Sequence, residues 1–185
     1  MGAMNWLQMR SLLRTLPTIL LAGPLVAQSS YVPSTELPQG REIVAVYIGA
    51  TTCAPCMSPE VKSAVQRMKG LMAAQAKQTG AAFSIIGAST DWSVAAGAAF
   101  LEPNGPFDQI VVGGNWTNLA VERFIWQDST SRSGMPQVVV YERTVVPGAR
   151  GIKFSEPRLL RRIVGGDSIP AWVAAGAPIG LAKKP

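Results

Sequence analysis

One stretch constrains the fold of this chain more than any other. Residues 43–48, Ile-Val-Ala-Val-Tyr-Ile, are apolar without alternation and run through Gly49-Ala50-Thr51-Thr52 into Cys53-Ala54-Pro55-Cys56. A short, continuous run of β-branched and aromatic residues is the pattern of a strand covered on both faces. Helical spacing follows the cysteines. Val61, Ala64, Val65, Met68, Leu71, Met72 and Ala76 recur every three or four residues up to Thr79-Gly80, where Gly80 suits a helix C-cap. The chain therefore sets its only two cysteines where a buried strand ends and a helix begins. Pro59 leaves two starts open for that helix. It opens the helix in its first turn behind a Ser58 cap, or it kinks a helix already begun at Cys53. Only the second puts the helix dipole directly on Cys53.

The thiolate is the reactive form of cysteine, and backbone N–H groups at a helix start favour it. Cys53 is then the thiol of lower pKa. Cys56, one turn on, can attack a mixed disulfide that Cys53 forms with a target, which is reversible dithiol–disulfide exchange. The plainer alternative is a structural disulfide closing a small loop. Structural zinc takes four Cys or His ligands. Two Cys and no His do not supply them, so no metal is expected. The lack of His also excludes C-x-x-C-H haem attachment and any Cys-His or Ser-His pair. Exchange between sulfurs needs no cofactor.

The chain of 185 residues is long enough for one domain with a substantial core, and 48% hydrophobic against 15% charged residues marks it as globular. Residues 1–27 read as a secretory signal peptide: Arg10 and Arg14 precede an apolar stretch over 16–26, and Leu25-Val26-Ala27 before Gln28 is a passable cleavage site. The apolar stretch is short for a membrane span, so a periplasmic or secreted protein is expected, without stable membrane insertion after cleavage. An uncleaved anchor is the alternative. Much of the positive charge lies late, at Arg143, Arg150, Lys153, Arg158, Arg161, Arg162, Lys183 and Lys184. It lacks a nucleic-acid motif or interleaved aromatics. A solvated basic face is expected, and no nucleic-acid partner.

Residues 28–40 are a polar, extended lead-in. Residues 82–88 read as a second buried strand, making a right-handed βαβ unit with the first. A short helix is expected over 93–101, a turn at Pro103-Asn104-Gly105-Pro106, a short strand over 110–112, helical spacing over 115–126 and a polar loop over 127–134. Met135-Pro136 opens an apolar strand over 137–141. A partner strand over 151–154 is expected to pair with it. Ser155 is a candidate cap for a last helix over 156–164, stopped by Gly165-Gly166. Residues 167–185, rich in Ala, Gly and Pro, are expected to be a loose or surface-hugging tail.

The order strand, C-x-x-C, helix, strand, inserted helical segment, Gly-Met-Pro, strand, strand, helix resembles the thioredoxin family, in particular its extracytoplasmic members. Cys53-Ala54-Pro55-Cys56 is similar to the family's C-x-P-C site, and Gly134-Met135-Pro136 to its cis-proline loop. The likeness covers about residues 41–166. It implies an α/β thioredoxin-like fold: a central mixed sheet flanked by helices, with a helical insertion before the cis-proline strand. It also implies an exported thiol–disulfide oxidoreductase. Cys53 would attack and Cys56 resolve. Met135, beside a cis Pro136, would offer its backbone to an extended substrate, with Ala54 and Pro55 at the contact. Cysteine-containing protein substrates and a redox partner protein follow. Thr52 stands where many thioredoxins carry Trp, and Tyr47 where they bury an acid. Pro59 stands where cytochrome-maturation members often have Glu, with Glu60 one further on. Ala50 stands where peroxiredoxins usually carry Thr, which weakens a peroxidase reading. The remaining alternative is a redox-inert binding module that uses the groove beside Pro136.

Overall fold

The computed structural model describes residues 31–127 and 133–180. The expected signal peptide, most of the loop over 127–134 and residues 181–185 lie outside the described residues. Among the described residues six strands form one mixed sheet. β1 (Gly40–Gly49) lies at its centre, parallel to β2 (Ala82–Ser89) and antiparallel to β4 (Gln137–Gly148). β3 (Gln109–Val111) adds a parallel edge beside β2. The far side of β4 is shared between β5 (Gly151–Phe154), a hairpin partner, and β6 (Arg158–Val164).

β1 is buried on both faces, which explains its unbroken apolar run. Ile43, Ala45 and Tyr47 join one core, with α1 (Pro59–Gln78), α2 (Val94–Leu101) and α4 (Ser168–Ala174). Val44, Val46 and Ile48 join a second, smaller core under α3 (Leu119–Val121), which runs on as a π-helical turn over Glu122–Trp126. Asn118 starts α3 by accepting the backbone N–H groups of Ala120 and Val121 through its side chain. α1 is the crossover of the β1–β2 parallel unit.

Two expectations are corrected. Residues 156–164 hold no helix; from Arg158 to Val164 they form β6, antiparallel to residues 137–142 of β4. The misleading signals were Ser155 as a candidate cap and Gly165-Gly166 as a stop, and Leu160 and Ile163 add a helical spacing of their own. Three residues apart, both face the first core. The strand achieves this with a bulge: Arg161 pairs with Val140 and Leu159 with Tyr141, so Leu160 is skipped and the alternation shifts by one. Ser155 caps nothing. Its N–H donates to the Thr144 carbonyl and its hydroxyl accepts the Thr144 N–H, extending the hairpin. The expected tail is the second correction. Over its described part it carries α4, which buries Ile169, Trp172 and Val173, and then Ala177 and Ile179. Gln75 of α1 ties it down by donating to the carbonyls of Gly176 and Ala177. Ile169, Trp172 and Val173 on one face of α4, with Ile179 beyond it, anchor a segment whose other residues are mostly Ala, Gly and Pro.

Candidate functional site

All the sequence-selected residues lie at one end of the sheet, where β1 and β2 finish and β4 begins. Cys53 and Cys56 form a disulfide with a Cα–Cα distance of 5.2 Å. The two cysteine residues differ in exposure. Cys56 is fully buried in the first core, while Cys53 keeps 9% of its surface. Ala54 and Pro55 between them are exposed. Cys53 precedes a single 3-10 turn, Ala54–Met57, and its sulfur accepts the Cys56 N–H at 3.2 Å. α1 starts later, at Pro59, with the Ser58 hydroxyl accepting the Val61 N–H. Of the two starts left open by Pro59 the first is therefore realised. One N–H group is aimed at the Cys53 sulfur, and the long helix begins behind Ser58 instead.

The backbone is fitted closely round the sulfurs. A Cβ on Gly49 would stand 3.2 Å from Cys56 Sγ and 2.6 Å from the Phe100 ring. Across the sheet Ile48 pairs with Gln137, so the Met135-Pro136 loop faces the end of β1. The Met135–Pro136 bond is cis. The Pro136 carbonyl accepts the Gly165 N–H at 2.9 Å, and a Cβ on the neighbouring Gly166 would reach within 2.8 Å of Pro55 Cβ. The turn joining β6 to α4 thus packs on the cysteine loop. Met135 is half-buried against the same core as both cysteines, and its sulfur takes the Thr90 hydroxyl at 3.1 Å. Thr90 N–H in turn donates to the Gly49 carbonyl at 2.9 Å.

No family model matches the chain, and no curated protein or solved structure is found to resemble it. Its site must be read from its own residues.

Asp91 is the residue that sequence reasoning passed over. Only 7% exposed, it follows β2 and reaches across to the loop before Cys53. Its carboxylate accepts the Thr51 N–H at 3.2 Å, the Thr51 hydroxyl, and the Ser89 hydroxyl at 2.6 Å. Burial alone would push this carboxyl up. The hydrogen bonds from Ser89 and from both groups of Thr51 outweigh it and hold the pKa below the usual carboxylate value. The available signal was an acid at the C-terminal end of the strand beside the cysteine strand, where ladders stop and loops need tethers.

Tyr47 occupies the place where the resemblance calls for a buried acid. It is fully buried, stacked on Phe100 with centroids 6.2 Å apart, and its hydroxyl has no partner among the described residues. Burial pushes its ionisation up, so it stays a neutral phenol near neutrality and is no base for Cys56. Among the described residues no three Cys, Asp or Glu side chains gather as a metal set.

Proposed function

We propose that this protein is an exported, thioredoxin-like thiol–disulfide oxidoreductase that exchanges the Cys53–Cys56 pair with cysteines of partner proteins. The observation that carries the reading is the unequal burial of one disulfide at the sheet end: Cys53 keeps 9% of its surface and Cys56 none. A purely structural staple has no need of that asymmetry, whereas exchange needs one sulfur that partners reach and one they do not. The mixed sheet, with the cysteine loop and the Pro136 loop at the same end, supports the same reading.

In the oxidising direction a substrate thiolate attacks Cys53 Sγ in line with the S–S bond. Cys56 leaves as a thiolate and takes a proton from water, since Tyr47 is no base and Asp91 is held ionised by Thr51 and Ser89. A second substrate thiol, deprotonated, then attacks the substrate sulfur of the mixed disulfide, and Cys53 leaves. Two electrons pass from substrate to protein. The reducing direction is the same sequence reversed, and a redox partner protein restores the starting state. In the second step the Cys56 N–H stabilises the negative charge that develops on Cys53 as it leaves.

The test uses the cysteine variants. Cys56→Ser should accumulate a mixed disulfide when its Cys53 thiolate attacks a disulfide-bonded substrate, because no second thiol is left to resolve it, and Cys53→Ser should exchange nothing. Dithiothreitol should reduce the wild-type disulfide under native conditions. Resistance of the folded protein to dithiothreitol would instead favour an inert module with a structural disulfide.

A further inference from the structure

β4 outruns the sheet at the end away from the cysteines. It pairs with β1 from Gln137 to Val145 and with β6 from Gln137 to Glu142. Beyond Val145, its residues Val146, Pro147 and Gly148 pair only with Lys153, Ile152 and Gly151 of β5. Residues 146–153 are therefore a two-stranded arm with Ala149-Arg150 at its tip. Gln137, at the other end of β4, lies opposite Ile48, where the chain turns towards the cysteine loop. The 12 residues of β4 put the tip about 35 Å from that end.

The arm is apolar on both faces, and it is basic. Val146 is 42% exposed, Ile152 43% and Phe154 53%. Directly paired residues share a face and successive ones alternate, so Ile152 and Phe154 project from one face and Val146 from the other. Arg150 and Lys153 are exposed, and among the described residues neither is ion-paired. The Arg143 guanidinium lies 4.3 Å from the Phe154 ring centre. Residues 143–155 contain no acid. The positive surplus of the described chain lies on this side too. Residues 137–166 hold six Lys and Arg against two Asp and Glu, while residues 31–127 hold six against seven. An anionic surface therefore meets an attractive field at the β4–β6 side of the molecule.

We propose that the β4–β5 arm is a peripheral membrane contact that docks on anionic lipid, with Val146, Ile152 and Phe154 entering the bilayer interface and Arg150 and Lys153 among the headgroups. Exposed apolar side chains flanked by bases bind such an interface through buried area and charge together. Apolar side chains on both faces suit a fluid that closes round the ribbon, whereas a folded partner would cover one face and leave the other wet. The contact is reversible and is not a span: no helix of the described residues is long and apolar enough to cross a membrane. Docked by its tip, the protein holds Cys53 and Cys56 at the end of the sheet away from the lipid, open to partners. The docking does not depend on the exchange chemistry, so either reading can fail alone.

The experiment uses the oxidised full chain with vesicles of phosphatidylcholine, alone or mixed equally with phosphatidylglycerol. Sedimentation reads partitioning and hydrogen exchange reads the footprint. The expected result is binding to the mixed vesicles, weaker binding to phosphatidylcholine alone, slowed exchange over residues 146–154 and unchanged exchange over 50–57. Arg150→Gln with Lys153→Gln should lower the partition coefficient about fivefold for each base removed. Ile152→Ser with Phe154→Ser should lower it at least about tenfold, the scale of half-burying two large side chains. Residues 1–27 are common to all the proteins compared, so these ratios read the arm. Thermal unfolding at the wild-type midpoint checks the fold of each variant. Arg150 and Lys153 are exposed, so the charge variant carries the test if replacing Phe154 loosens the hairpin. Unslowed exchange over 146–154 in vesicle-bound protein, or slowed exchange over 50–57, would overturn the proposal. So would loss of binding by the charge variant while the apolar variant binds as wild type, the behaviour of a site for an acidic protein.

Discussion

Asp91 is the strongest test of how the cysteine loop is held. Asp91→Ala removes the acceptor of three hydrogen bonds, two from Thr51 and one from Ser89. Hydrogen bonds to a charged acceptor contribute about 1.5–3 kcal/mol each, but Thr51 is exposed and water can replace the carboxylate there. The Ser89 hydroxyl is fully buried and is left wanting. The net loss expected is therefore about 2–4 kcal/mol, well short of the sum of three bonds. Asp91→Asn, which keeps the shape and one acceptor oxygen, should lose about 1–2 kcal/mol. Urea unfolding of the oxidised protein at pH 7 reads both values. The pH dependence then isolates the charge. The folded pKa of Asp91 lies below the unfolded one, so its contribution is complete above the unfolded value, about 3.9, and is lost as pH falls through the folded value. The gap between wild type and Asp91→Asn should close as the pH is taken from 5 towards 2. A gap that stays constant over that range would show that the carboxylate charge is not what holds the loop. A loss under about 0.5 kcal/mol for Asp91→Ala, the size of an ordinary surface substitution, would dismiss the tether altogether.

Two further perturbations follow from packing and charge elsewhere. Gly49→Ala drives a methyl to 2.6 Å from the Phe100 ring and 3.2 Å from Cys56 Sγ; overpacking of this kind should lower stability by about 1–3 kcal/mol, and Phe100→Leu in the same chain should recover part of it, as thermal or urea unfolding would show. Lys69 is fully buried on α1, donates to the Asn104 carbonyl, lies 4.7 Å from the Phe107 ring centre, and is lowered by burial from 10.5 to about 8. Because the folded value is the lower one, unfolding takes up a proton between those two pH values and stability should climb with pH across that window; Lys69→Met should remove the climb, and an unchanged slope would show that Lys69 titrates as if in water.

The centre of the fold was legible because its residues carry one meaning. β1 and β2 are apolar on both faces, α1 has helical spacing ended by Gly80, and Met135-Pro136 marks the start of β4. Each of these segments is shaped chiefly by its own pattern, and the structure places them where that pattern points. β6 and α4 are shaped by partners. β6 exists because the outer edge of β4 over Gln137–Glu142 needs hydrogen-bond partners. Three arginines in Arg158–Val164 gave little strand signal: Arg158 is recruited by Glu142, and the bulge at Leu160 imitates a helical period. No local rule encodes a pairing partner that lies across the sheet.

The candidate site divides in the same way. The two cysteines announced themselves by being alone and by their spacing. Asp91 did not, because its role exists only once β1 and β2 lie in parallel register, with Gly49 opposite Ser89. That register puts the residues after both strands side by side, so Thr51 comes within reach of Asp91 and Thr90 within reach of Gly49 and Met135. The loop before Cys53 thus depends on a carboxylate 40 residues further along the sequence, and only the strand register brings the two together.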